Sequence, residues 1–143
     1  MPQIKNYIAI AIIGLIGFGI YKALKPKDND YSYLLNLPSH FAELAEKKQT
    51  GAIRRFISKD YLDSQNRSQQ DVHSMITAFM LIKEEISVSV SNEFVEIDSR
   101  QEKPHATLSF DAVFNRSESY TFKLQLEKSD DGWLVDSAVW SEK

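Results

Sequence analysis

The ten residues HATLSFDAVF, numbers 105–114, decide how this chain folds. Ala106, Leu108, Phe110, Ala112 and Phe114 alternate with Thr107, Ser109 and Asp111. A two-residue period belongs to a strand whose successive side chains point to opposite faces, so one face is apolar and the other polar. YTFKLQLE, 120–127, repeats the pattern, with Tyr120, Phe122, Leu124 and Leu126 set against Thr121, Lys123 and Gln125. Upstream, ISVSVS (86–91) and FVEI (94–97) read as strand segments. Downstream, SDDG (129–132) is a turn signal and WLVDSAVW (133–140) a last strand. A sheet with one apolar and one polar face is antiparallel and covered by helices on one side only.

The helices lie ahead of the strands. Pro38-Ser39 reads as a helix start with Ser39 as N-cap, followed by Phe41, Leu44 and Ala45 at helical spacing. QTGAIRRFIS (49–58) breaks at Thr50-Gly51 and resumes as a short helix that turns Ile53, Phe56 and Ile57 inward. SQQD (68–71) is a capping-box-like start with Asp71 where Glu or Gln is usual. Val72, Met75, Ile76, Phe79 and Met80 then recur at steps of three and four. Helices first and a meander afterwards predict an α+β fold, with three helices packed on one face of a curved antiparallel sheet.

Further upstream, YIAIAIIGLIGFGIYKAL, 7–24, carries no charge from Tyr7 to Tyr21. As a helix it would be ~27 Å long, close to the thickness of a bilayer core. Lys5, Lys22, Tyr7 and Tyr21 suit the two interfaces. An uncleaved transmembrane anchor over residues 1–24 is the expectation. A cleaved signal peptide is the rival reading, but Tyr21, Lys22 and Leu24 stand where small residues should be. A core helix is a third, opposed by the absence of a polar face. The charged KPKDND (25–30) opens a polar linker, 25–36, and the folded domain is expected over 37–143.

The 143 residues carry a net charge of −3 and no cysteine. Without a basic surplus, nucleic-acid binding is not expected. Disulfides, thiolate metal sites and a cysteine nucleophile are excluded.

The order of elements resembles the nuclear transport factor 2-like superfamily, a cystatin-like α+β group that includes the SnoaL-like proteins. HFAELAEKKQTGAIRRFISKDYLD (40–63) is similar to its opening helical pair, and DGWLVDSAVW (131–140) to its final strand. The region from ISKDYLDSQNRSQQDVHSMI (57–76) to ISVSVSNEFVEI (86–97) resembles membrane-anchored bacterial members. The resemblance implies a bent sheet wrapped into a cone, open or filled. SQNRSQQ (64–70) is too short for the extra strands of many members, so one wall should be thinner.

Candidate chemistry is sparse. Caps and turns account for Asp60, Asp63 and Asp71. A functional alternative makes Asp60 or Asp71 a base paired with His73. His40, His73 and His105 show no metal-ligand spacing, and no catalytic or phosphate-loop motif occurs. The inward positions of the long strands hold no ionisable group but the Tyr120 phenol. In the last strand one parity is Trp133, Val135, Ser137 and Val139; the other contains Asp136, the single strand carboxylate that could point inward. Tyr61, His73, Phe79, Phe110, Phe122, Trp133 and Asp136 are therefore the candidates for lining the cone, with no catalytic residue, metal or cofactor expected.

Three functions fit: a membrane-tethered, non-catalytic binding or assembly module of a bacterial envelope complex; a carrier of a small apolar ligand; and a hydrolase or isomerase using Tyr61, His73 or Asp136. The first is the leading expectation, with a protein partner or a second copy docked through the sheet. The domain is expected on the periplasmic side of a bacterial inner membrane. Lys22, Lys25 and Lys27 argue for the opposite side. The short N-terminal tail and the resemblance to anchored envelope proteins outweigh them.

Overall fold

The computed structural model describes residues 27–100 and 102–143, and the fold lies in Tyr31–Lys143. Helices α1 (Lys27–Glu46), α2 (Thr50–Arg54) and α3 (Gln69–Ile82) precede strands β1 (Val88–Asp98), β2 (His105–Phe114), β3 (Glu118–Ser129) and β4 (Gly132–Glu142). The strands form one antiparallel meander in the order β1-β2-β3-β4. The expected α+β architecture is observed. Among the described residues no helix is long and apolar enough to cross a membrane, and the expected anchor Tyr7–Leu24 lies outside them.

The alternation in β2 sorts its side chains as expected. Ala106, Leu108, Phe110 and Ala112 are buried with Leu124 and Leu126 of β3. They share one core with Leu34, Leu37 and Leu44 of α1, Ile53 of α2, and Val72 and Met80 of α3. Each such side chain withdrawn from water contributes about 1.5–3 kcal/mol. The other face is polar. There Asp111 accepts from Lys143 Nζ at 2.8 Å, Asn92 Nδ2 at 2.7 Å and Thr121 Oγ1 at 2.9 Å. These bonds, led by that from Lys143, hold its carboxyl down at about 2.

Two breaks in register bend the sheet. Val88–Ser91 of ISVSVS and all of FVEI belong to one strand, interrupted between Ser91 and Phe94. The one extra residue is taken up at Asn92, whose φ of 57° suits the short polar asparagine. In β4, Gln125 pairs with Ser137 but Leu126 pairs with Val135, so Asp136 is an extra residue. The inward parity of β4 changes there. Trp133 and Val135 are buried before the bulge and Ala138 after it, while Val139 is 52% exposed.

The start of α1 corrects the sequence reading. Ser39 is not an N-cap, because the helix runs from Lys27 through Pro38. Residues 27–36 of the expected linker are therefore helical. Pro38 has no N–H to give the Leu34 carbonyl, a loss that ordinarily ends a helix. Here Leu34 and Leu37 are 0% and 2% exposed, and that packing outweighs the local preference. The helix ends with the Lys48 N–H bonded to Ala45 O and the Gln49 N–H to Leu44 O. Lys48 sits in the left-handed region at φ 56°, as in a Schellman cap. Its ammonium donates to the carbonyls of Lys83 and Glu84 beyond α3.

At α3 the capping box is present. Ser68 Oγ accepts the Asp71 N–H, and the Asp71 carboxylate accepts the Ser68 N–H. Between α2 and α3 the chain covers the free edge of β4. Ser58 N–H donates to Val135 O, Val135 N–H to Phe56 O, and Leu62 N–H to Asp136 O. A bare edge strand would invite pairing with another chain, and this stretch occupies those backbone groups.

Candidate functional site

Helices and sheet do not close completely on each other. A cavity of ≈ 330 Å³ lies between them, lined from all three helices and all four strands. Ala45, Ile53 and Phe79 come from the helices, Phe110, Phe122 and Trp140 from the sheet. The rings of Phe110 and Phe122 stack at 5.1 Å, and those of Phe122 and Trp140 at 6.3 Å. Phe114 meets Phe79 edge-on at 5.4 Å. Small side chains in the lining, Ala42 from α1 and Ala112 between Phe110 and Phe114 on β2, occupy little of the space. Among the described residues, the lining contains no carboxylate, imidazole, amine or guanidinium; its polar side-chain groups are the Tyr61 and Tyr120 phenols and the Trp140 indole.

The structure divides the candidate residues. Tyr61, Phe79, Phe110 and Phe122 line this cavity; His73, Trp133 and Asp136 do not. Trp133 is 1% exposed and is packed in the core, with the Lys128 ammonium 5.9 Å from its ring centre. His73 and Thr77 lie one turn apart on α3, and His73 Nε2 and Thr77 Oγ1 are buried atoms without a hydrogen-bond partner. Asp136 alternates with buried Trp133 and Val135, which puts it on the far face of the sheet, and it lies beside His105 and Glu127. Burial and, after it, the Glu127 charge push its carboxyl up, while His105 pulls the other way.

At one side of the cavity Tyr61 donates to Asp63 Oδ2 at 2.8 Å. The Asp63 side chain is fully buried. It also accepts Arg67 Nε at 2.8 Å and the N–H groups of Gln65 and Arg67 at 2.9 and 3.1 Å. Burial alone would raise the Asp63 carboxyl, but the bonds from Tyr61, Arg67 and Gln65 outweigh it and hold it below its ordinary value. Burial and the Asp63 bond push the Tyr61 phenol up. Arg67 then lays its guanidinium 4.1 Å from the centre of the Trp140 ring. Asp63 thus ties the loop into the cavity wall. Its only sequence signal is the four-residue spacing to Arg67. Asp71 is committed to its cap and Asp60 is exposed.

No family model matches the sequence, and no curated protein does. Solved structures do match. A candidate dehydratase of the nuclear transport factor 2-like family from Streptomyces avermitilis superposes with a TM-score of 0.63 at 12% identity, covering 82% of this chain and 99% of that one. A cystatin-like protein of unknown function from Nostoc punctiforme gives 0.55 at 14%, covering 76% and 86%. Bd1075 of Bdellovibrio bacteriovorus gives 0.61 at 12% over 78% of this chain, which spans only 40% of that protein. At these identities the likeness establishes a shared fold.

Proposed function

We propose that this chain binds one small apolar or aromatic molecule in the cavity between its helices and its sheet. The observation that carries the reading is an open space of ≈ 330 Å³ with an apolar, aromatic lining. That volume is at the lower end of ligand pockets, which are mostly apolar with few polar groups. An assembly module would be expected to fill its cone, so ligand binding replaces it as the leading reading. Binding without turnover is favoured because acid–base chemistry needs proton donors and acceptors at the reacting atom. Tyr61, the closest approach to such a group, already donates to Asp63. The full chain should bind an apolar fluorophore such as N-phenyl-1-naphthylamine saturably, at one per chain. Ala112, 2% exposed and on the cavity wall, tests the location. Ala112→Leu should weaken binding by about tenfold or more, some 1.4 kcal/mol, with no fall in the unfolding midpoint. Equal binding by variant and wild type would defeat the reading.

The sequence supports a second proposal, that Tyr7–Leu24 tethers this binding domain to the outer face of a bacterial inner membrane. Full-length protein should resist carbonate extraction, and a C-terminal alkaline phosphatase fusion should be active. An inactive fusion at full length would put the domain on the cytoplasmic side.

A further inference from the structure

We propose that His105, Glu127 and Asp136 form a binding site for one divalent transition cation, Zn²⁺ foremost, on the face of the sheet turned away from the helices. The site is separate from the apolar cavity, and the two stand or fall independently. Each ligand comes from a different strand. His105 opens β2 and pairs directly with Glu127 of β3. Their neighbours Ala106 and Leu126 are buried in the core, so alternation places His105 and Glu127 on the outer face. Asp136 is the extra residue of the β4 bulge. Alternation from buried Trp133 and Val135 puts it on the outer face with Leu134, and the bulge returns Ala138, which would otherwise share that face, to the core. One ligand atom from each of the three residues lies within 4.8 Å of the other two.

The distances suit a cation. His105 Nε2 stands 3.8 Å from Glu127 Oε2. Zinc bonds of ~2.0–2.2 Å place tetrahedral ligand atoms about 3.4 Å apart. The required closure is on the order of 1 Å, within the freedom of side chains that are 39% and 33% exposed for His105 and Glu127. That exposure leaves room for water in the remaining coordination positions. The charges suit it too. A cross-strand His–Glu pair is a complete interaction by itself, and a second carboxylate beside it adds repulsion that a dication removes. Lys103 Nζ approaches Glu127 Oε1 at 3.6 Å but is 66% exposed, and such exposed pairs hold weakly. One imidazole with two carboxylates favours zinc and its transition-metal neighbours over Mg²⁺ or Ca²⁺, which prefer all-oxygen sets. Sequence spacing, 105, 127 and 136, carries no metal signature, which is why no metal was expected; strand pairing assembles the set.

The test is a titration of chelator-treated full chain with ZnCl₂ against a chromophoric zinc indicator. One equivalent should bind, and excess MgCl₂ should not displace it. His105→Ala, Glu127→Gln and Asp136→Asn should each weaken binding by at least about tenfold, a loss seen even for partners outside the coordination shell. Lys103→Ala should bind as tightly as wild type or more so. Zinc should raise the unfolding midpoint of the wild type and leave that of His105→Ala unchanged. If Asp136→Asn does not fold, His105→Ala, half-exposed at a strand end, decides the matter. Absence of stoichiometric binding by the wild type, or equal affinity in His105→Ala, overturns the proposal.

Discussion

Trp133→Ala should lower the free energy of unfolding by about 3–5 kcal/mol, whereas Val139→Ala should change it by less than about 0.5 kcal/mol. Strict alternation along β4 would put both residues on one face. The structure separates them: Trp133 is 1% exposed and Val139 52%. Between them Asp136 breaks the register against β3. Truncating Trp133 would leave a large void among side chains already in contact, in addition to the lost transfer free energy. Truncating Val139 would remove atoms that water already reaches. Denaturant melts of the two variants make the comparison. Similar losses at both sites would mean that β4 keeps a regular two-residue register.

Asp63→Ala should cost about 3 kcal/mol at neutral pH, the scale for removing one partner of a buried, hydrogen-bonded ion pair. The variant strands the Tyr61 hydroxyl, which is 3% exposed with its residue, and leaves Arg67 without its carboxylate. It also frees two backbone N–H groups, those of Gln65 and Arg67. The pH dependence follows from the lowered carboxyl of Asp63. A group whose folded-state value is depressed stabilises the fold above its unfolded value, near 4, and loses that contribution as pH falls through the folded value. The gap between wild type and Asp63→Ala should therefore be constant at neutral pH and shrink below about pH 4. It should survive high salt, since the buried carboxylate is poorly screened. A gap below about 1 kcal/mol, or one that does not narrow in acid, would show that Asp63 is not the organiser of this loop.

Much of the fold was legible because local periodicity and burial agree. In HATLSFDAVF every second residue is apolar and every second residue is inside. The Ser68–Asp71 box was legible because its partners are three residues apart and satisfy each other locally. The start of α1 was not, since Pro38 and Ser39 carry a strong local stop signal. Only the burial of Leu34 and Leu37 against strands far along the chain overrides it. Of the stretch from Phe56 to Met75, composition could say that it is polar and turn-rich. Its work as an edge cover for β4 depends on hydrogen bonds to Val135 and Asp136, distant in sequence.

By itself, then, the sequence determined the α+β class, the order of helices and strands, the two faces of the sheet and the cap of α3. Each of these is written in spacings of two to four residues, within reach of neighbouring side chains and backbone groups. Tertiary structure alone decided that the cone stays open, because an unfilled ≈ 330 Å³ depends on how closely three helices approach four strands. It alone brought Ala138 back to the core past Asp136. A bulge is a mismatch between two strands, and a mismatch has no existence until both strands are paired.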